Sequence, residues 1–513
     1  MNSVRAGRRR ATWQRRLVHP PRAVIDIGSN TVRLVIYEGN ERAPEVVWNE
    51  KVAARLGQDL STSGKIPKPA AEEALGALAR YALIVSDLKI DDIQTVATAA
   101  AREAKNGAEF LQAVESLGLT PRLLSGEEEA NASAMGAIGA FPGANGVVAD
   151  LGGGSLELIS IANEECHHGE SLPLGTLRLP ALRKKGHFGK KVRKMLGGVG
   201  WAEKHPGPLY MVGGTWRAFA AYAMHEADYP LTDPHGFEID VEEAARLARK
   251  LVRVKPEKLL RISGISPMRA SYLSDASALL KVMLETLKPD RLVFSSWGLR
   301  EGLLFSRLEP LQRAQDPLLA GVTAYASQRD ASITDAARVA GWTVNIANGK
   351  GRRNERLRLA AAQLASALQR VEPNLRANHA VEWSLGKRWI DCDARGRAMI
   401  CAALMGSLGR TELPASFRYL ASDDDLREAI TWGLAFRLAR RLGAASQLSM
   451  TASSLSQTKK KLVLRLDESR AALAHYPVTL DLEVLAEWLG FAPRIKIGNF
   501  AFEESYLDTE DAD

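Results

Sequence analysis

Cysteine is scarce: Cys166, Cys392 and Cys401 are the three in 513 residues. Their wide spacing excludes a disulfide scaffold and a cysteine-based zinc site, and it fits a reducing compartment. Long apolar runs are missing too. The longest candidate, 398–409, carries glycine and serine and falls short of the roughly 18 residues a spanning helix needs. No integral membrane protein is expected. Residues 1–22 contain seven arginines and no acid, and residues 503–513 contain six acids and no base. The net charge of +8 therefore leaves +7 on the residues between. A basic body suits an anionic partner. The leader has no apolar core, which excludes a secretory signal. Its composition also resembles a mitochondrial transit peptide, and a disordered basic tail is the reading adopted. What remains is ordinary for globular protein, 46% hydrophobic and 25% charged. The length suggests about three domains of roughly 100–200 residues each.

Residues 22–38 (RAVIDIGSNTVRLVIYE) read as two strands joined by a polar turn at Gly28-Ser29-Asn30. A third strand is expected at 46–52, a helix at 70–88, a buried strand at 93–97, a helix at 108–117, a strand at 121–124 and a helix at 126–140. The opening pattern then returns in 146–161 (GVVADLGGGSLELISI). With an offset of 124 residues, Asp26 falls on Asp150, Gly28 on Gly152, Thr31 on Ser155 and Leu34 on Leu158. Two such hairpins argue for two related α/β domains. A third glycine turn follows a short strand in LYMVGGTWR, 209–217, and another strand runs into a helix across 291–305. From about 310 the texture turns helical, with periodic segments at 335–340, 355–371, 396–408 and 426–445. A small βα unit is expected across 453–468 and 479–487.

A glycine turn lets several backbone N–H groups converge on one anion. This chain has three: Gly28-Ser29-Asn30, Gly152-Gly153-Gly154-Ser155 and Gly213-Gly214-Thr215. One alone is explained by a tight hairpin. Three, two of them preceded by Asp, point to a phosphate chain held in a cleft. Magnesium needs one or two carboxylates beside phosphate, and Asp150 with Glu157 are the candidates. Asp26 holds Asp150's place in the first copy, but Arg33 replaces Glu157, so acid chemistry is expected of the second hairpin. Hydrolysis also needs a group that orients water and takes its proton. Glu127, Glu128 and Glu129 are the candidates, although acids in a first helical turn also complement the helix dipole. Arg102, in TAAAREA, is a candidate for neutralising phosphate oxygens. Residues 183–194 (RKKGHFGKKVRK) carry seven bases, and five more lie within 350–358. Each run is either a solvated surface or part of a path for a long polyanion. Phe188 is the one aromatic in either run, which disfavours nucleic acid.

DIGSNTVRLVIY, TAAAREA, LLSGEEEA, VADLGGGSLEL, PLGTLRL, VGGT and SSWGLREGLL follow one another within residues 23–306. In this order they resemble the exopolyphosphatase/guanosine pentaphosphate phosphohydrolase family, the Ppx/GppA phosphatases. The resemblance implies an α/β fold of two ribonuclease-H-like domains of the actin/sugar-kinase superfamily around a cleft. It implies Glu129 as catalytic base, Asp150 and Glu157 as the Mg2+ site, and Arg102 as the family arginine. The phosphate-cradling turns would be Gly28, Ser29 and Asn30; Gly152, Gly153, Gly154 and Ser155; and Gly213, Gly214 and Thr215. Longer family members end in a region resembling the HD phosphohydrolase fold. Here no histidine precedes an aspartate, and beyond residue 310 the histidines are His379 and His475. The α-helical C-terminal region is accordingly expected to be a degenerate HD-like version that serves substrate grip or dimerisation.

The expected organisation is a disordered basic leader, 1–22; a first domain, 23–140; a second, 141–308; a helical region, 309–502; and an acidic tail, 503–513. The expected function is magnesium-dependent release of terminal phosphate from linear inorganic polyphosphate by a cytoplasmic homodimer, with neither nucleic acid nor membrane as partner. The alternatives are a guanosine pentaphosphate phosphohydrolase of the stringent response, a non-hydrolytic polyphosphate or nucleotide sensor, and a sugar-kinase-like transferase.

Overall fold

The structure is a computed structural model describing residues 20–58, 60–202, 207–347 and 352–499. The leader through residue 19 and the acidic tail lie outside the described residues. The chain divides into two compact units, Met1–Pro317 and Leu318–Asp513. The boundary expected at 308/309 thus falls at 317/318. The segment Pro310–Arg313 stays with the first unit, where the Arg313 carbonyl accepts a hydrogen bond from Arg42 Nε at 3.1 Å.

The first unit opens with β1 (Arg22–Ile27), β2 (Val32–Glu38), β3 (Glu45–Val52), α1 (Lys68–Asp87) and β4 (Asp92–Ala97). It continues through α2 (Ala99–Glu103), α3 (Gly107–Glu115), β5 (Pro121–Leu123) and α4 (Gly126–Ala140). The sheet order is β3-β2-β1-β4-β5, antiparallel over the first three strands and parallel from β1 to β4 to β5. The plan then repeats with β6 (Gly146–Leu151), β7 (Leu156–Ala162), β8 (Glu165–Leu172), α5 (Phe188–Leu196), β9 (Leu209–Val212) and α6 (Gly214–Glu226). After β10 (Glu238–Asp240) come α7 (Val241–Leu251), α8 (Pro267–Leu287), β11 (Arg291–Ser295) and α9 (Leu299–Phe305). The order of the second sheet, β10-β11-β9-β6-β7-β8, is the first plan with one added edge strand. The repeat holds to the residue: Arg22 pairs with Tyr37 and Gly146 with Ile161, each 124 positions on.

Alternation along β1 explains how the first sheet is buried on both faces. Ala23, Ile25 and Ile27 pack with Leu78, Tyr81 and Phe110 on one side. Val24, with Val35, Tyr37 and Val96, packs on the other. Each fully buried aliphatic side chain contributes about 1.5–3 kcal/mol. The second face is covered by α9, through Leu303 and Leu304. Conversely α4, expected as the last element of the first domain, packs on the second sheet, where Ala130, Ala134 and Ala137 meet Val148, Ile159 and Ile161. The two lobes therefore share helices across the 140/141 boundary, since Ala132 of α4 also meets the first sheet and Phe305 of α9 the second. Small residues permit the crossing. A Cβ on Gly302 of α9 would overlap the Ala132 carbonyl and stand 2.7 Å from Gly136 N.

The second unit is helical until its end, with α10 (Ile333–Trp342), α11 (Arg352–Leu368), α12 (Ala394–Ser407) and α13 (Asp423–Gly443). It closes on the hairpin β12 (Ser453–Thr458) and β13 (Lys461–Leu466), then α14 (Val478–Leu489) and β14 (Ala492–Ile497), which joins β13 in parallel. The expected βα unit is thus a three-stranded sheet with one helix. His379 bonds Glu382 at 3.0 Å within its own helical turn. Among the described residues no helix is long and apolar enough to cross a membrane.

Candidate active site

Each hairpin carries its Asp at the end of the first strand and closes through the same bond. Gly28 N–H donates to the Thr31 carbonyl at 3.0 Å, and Gly152 N–H to the Ser155 carbonyl at 3.0 Å. The two turns touch. A Cβ on Gly153 would lie 3.1 Å from Asn30 Cβ, and one on Gly154 2.8 Å from Ser29 Oγ. Only glycine lets backbone approach backbone so closely here. The PLGTLRL segment straps the second turn from behind: Thr176 N–H donates to the Gly152 carbonyl at 3.1 Å and Leu177 N–H to that of Gly153 at 2.9 Å.

Between the turns lies a cleft of about 150 Å³. It is lined by Asp26, Glu129, Asp150 and Glu157, by the turn residues 28–30 and 152–155, and by Gly213 and Gly214. These predicted residues are brought together. Two others are placed differently. Arg102 does not line the cleft; its guanidinium donates to Glu129 Oε2 at 3.1 Å and to the Leu124 carbonyl at 2.8 Å. Thr215 is fully buried behind the third turn, and its hydroxyl accepts from Arg269 at 3.0 Å.

The three consecutive glutamates separate by geometry. Glu128 completes a capping box, accepting from Ser125 N at 2.8 Å while Ser125 Oγ accepts from Glu128 N at 3.1 Å. That backbone bond holds the Glu128 carboxyl below its usual range. Glu127 is exposed. Glu129, a step further round α4, faces the cleft. Burial lifts its carboxyl from 4.5 to about 7, Arg102 opposes, and Asp150 and Asp26 add to the rise. Asp150 is raised chiefly by burial and accepts a hydrogen bond from Ser133, one turn along α4 from Glu129. Glu157 lies opposite Asp150 in the strand pair and accepts from Ser171 at 2.9 Å. Burial, then Glu129 and Asp150, push it well above the ordinary range.

Asp150 thus raises both glutamates and Glu129 adds to the rise of Glu157, and acids gathered so closely call for positive charge. Among the described residues no three acids, histidines or cysteines are close enough to hold a metal by themselves. The donor set suits a cation that takes one or two carboxylates and completes its shell with water and phosphate. Glycines leave room for one: a Cβ on Gly213 would stand 3.1 Å from Asp150 Oδ1, and one on Gly298 3.8 Å from Oδ2.

The opposite wall is cationic, and most of it escaped sequence reasoning. Arg33, Arg217, Arg269 and Arg300 line the cleft. Arg33, first noted as the partner that breaks the repeat, faces Asp26 across the hairpin. Burial and the nearby Arg300 and Arg269 lower its guanidinium to about 10. Arg300 lies 3.8 Å from Asp26. Arg217 and Arg300 were visible inside motifs already singled out, whereas nothing in the local sequence marks Arg269. Four buried polar atoms of the lining find no hydrogen-bond partner in the described protein: Asn30 Oδ1, Arg33 Nε, Ser296 Oγ and Arg300 Nε. Buried polar groups are seldom left so, and three of these can donate to an anion.

The basic runs are partly structural. In 183–194, Arg183 pairs with Asp275 and Arg193 with Glu285, both on α8. In the second run, Arg356 pairs with Asp391 at 2.8 Å, and Arg358 is buried on Glu355, Thr343 and the Ala340 carbonyl. Lys350 lies outside the described residues.

Facing glycine turns, an arginine wall and a cluster of buried acids define a two-lobed α/β enzyme built to act on phosphoryl groups. The chain belongs to the Ppx/GppA phosphatase family, whose model matches residues 35–311, more than half of it. It is a hydrolase of that phosphatase class. Exopolyphosphatase 1 of Mycobacterium leprae is 26% identical over 303 residues, covering 56% of this chain and 89% of that one. Retrograde regulation protein 2 of Saccharomyces cerevisiae is 28% identical over 348 residues, covering 59% and 58%. The crystal structure of the Aquifex aeolicus Ppx/GppA family member superposes with a TM-score of 0.50 at 26% identity, covering 58% of this chain and 99% of that one. An exopolyphosphatase from Cytophaga hutchinsonii shares the fold with a TM-score of 0.51 at 23% identity, covering 56% and 97%. The family match ends at 311, before the unit boundary.

Proposed function

We propose that the protein is an exopolyphosphatase that releases terminal orthophosphate from linear inorganic polyphosphate with the help of magnesium. The observation that carries this reading is Glu129: a largely buried carboxyl raised to about 7, beside two further acids and opposite an arginine wall. The terminal phosphate lies among the amides of the two glycine turns, Arg33 and Arg300. Glu129 accepts the proton of the attacking water as its oxygen bonds to the terminal phosphorus and the anhydride P–O bond breaks. The shortened chain leaves as the other product. Asp150 and Glu157 would hold the magnesium ion, which supplies charge neutralisation to the phosphate oxygens. Arg102 orients Glu129 and favours its ionised form. Among the described residues the lining contains no aromatic side chain on which a guanine could stack, which favours an inorganic chain over guanosine pentaphosphate. Phosphate release from polyphosphate and from guanosine pentaphosphate, assayed in parallel, tests the choice; faster release from the nucleotide overturns it.

The same reading makes the helical unit a degenerate HD-like module through which two copies pair, in a cytoplasmic enzyme. Light scattering should give twice the chain mass, and a monomer at micromolar concentration refutes the pairing.

A further inference from the structure

A second cationic feature lies on the second lobe, away from the cleft. A cavity of about 760 Å³ is lined by Arg249, Lys250, Arg253, Lys255, Lys258 and Lys281, with Val252 and Val254, and among the described residues by no acid. Lys250 bonds Glu226. The nearby Glu257 does not line it. Two helices connect this cavity to the cleft. α6 starts at Gly214 in the cleft and ends at Glu226, the partner of Lys250. α8 carries Arg269 into the cleft and Lys281 into the cavity, twelve residues on. At about 1.5 Å per residue both paths span roughly 18–20 Å. The basic segment 183–194 is pinned to the same α8 by Arg183 on Asp275 and Arg193 on Glu285, while Lys184, Lys185 and Lys190 stay exposed.

We propose that this cavity is an exosite that binds the distal part of a long polyphosphate chain whose terminal unit lies in the cleft. The inference rests on the exopolyphosphatase reading. Five cations besides the Glu226-bound Lys250, with no acid among the described lining residues, suit a dense linear anion. Among the described residues the lining offers no aromatic side chain for base stacking, the nearby Tyr222 lying under Lys250, so nucleic acid is the poorer fit. A chain held at both places dissociates more slowly than one held at its end, whereas a short substrate cannot reach both.

The test uses the full chain. In a Glu129→Gln background, binding of long-chain polyphosphate is compared with and without Arg253→Gln, Lys258→Gln and Lys281→Gln, at several salt concentrations. The expected result is about tenfold weaker binding or more with a shallower salt dependence, while turnover of tripolyphosphate by the triple variant with Glu129 intact stays within about twofold. Unchanged long-chain affinity overturns the exosite. An equal loss on tripolyphosphate overturns it as well, because the substitutions would then act on the cleft. Single-stranded RNA binding that falls while polyphosphate binding persists assigns the cavity to nucleic acid instead. Lys258→Glu, on an exposed side chain, repeats the comparison if the triple variant fails to fold. If the wild type releases phosphate from neither substrate, the catalytic reading fails, and the binding comparison still decides the exosite.

Discussion

Glu157 stands directly opposite Asp150 across β6 and β7. At the equivalent place in the first hairpin Arg33 stands opposite Asp26. One copy of the duplication therefore sets a cation opposite its acid, and the other gathers two acids next to Glu129. The same backbone thus presents a basic wall on one side and an acidic wall on the other.

That asymmetry makes magnesium dependence testable. Chelation should abolish phosphate release, and magnesium should restore it. Glu157→Gln keeps the shape and can still bond Ser171, but it removes one charge from the cluster. Half-maximal activation should need about 10–100-fold more magnesium. A magnesium titration of phosphate release reads this directly, and an unmoved midpoint would separate Glu157 from the cation.

Glu129→Gln should lower turnover by about 10²–10⁴-fold while leaving polyphosphate binding in place. Because the base must be ionised, wild-type activity should fall as pH drops through about 7. Arg102 holds that value down, so Arg102→Met should move the inflection upward. Stability runs the other way. The folded chain holds this proton more tightly than the unfolded chain does. The contribution is complete below 4.5 and is lost as pH rises through about 7. Thermal melts of Glu129→Gln across that range should be flatter than those of the wild type.

The crossing of α4 and α9 is the mechanical link between the lobes. Gly302→Ala forces a methyl group into the Ala132 carbonyl and should cost about 3 kcal/mol or more. It should also reduce turnover, since α4 carries Glu129 and Ser133. Gly76 in α1 faces open space, with nothing within 4 Å of where a methyl group would stand. Gly76→Ala should therefore stabilise by about 0.5–1 kcal/mol. Calorimetry of the pair distinguishes a packed glycine from a merely flexible one.

Asp481 ties α14 to α13 in the second unit. It is 3% exposed and accepts from Arg437 Nε at 2.8 Å, with Arg441 Nε at 3.2 Å. Asp481→Asn leaves two guanidinium groups facing an uncharged amide and should cost about 3 kcal/mol, read as a lower midpoint in denaturant.

Local pattern alone determined a good deal. The duplicated Asp-x-Gly hairpins were legible because alternation and turn chemistry are properties of consecutive residues, and their strand register repeats at 124 residues as the sequence does. The start of α4 was legible too, from its acids after a serine. Which of those three acids serves the cleft was a matter of helix phase against a neighbouring sheet, and folding assigned one to the cap, one to solvent and one to the site. The arginine wall came from tertiary structure. Arg33, Arg217, Arg269 and Arg300 lie on four different elements, and no spacing rule joins them. The sharing of α4 and α9 was equally hidden, because each helix buries residues against the sheet of the other lobe. A sequence records which surfaces must be covered. The packing of the whole chain decides what covers them, and so where charge finally collects.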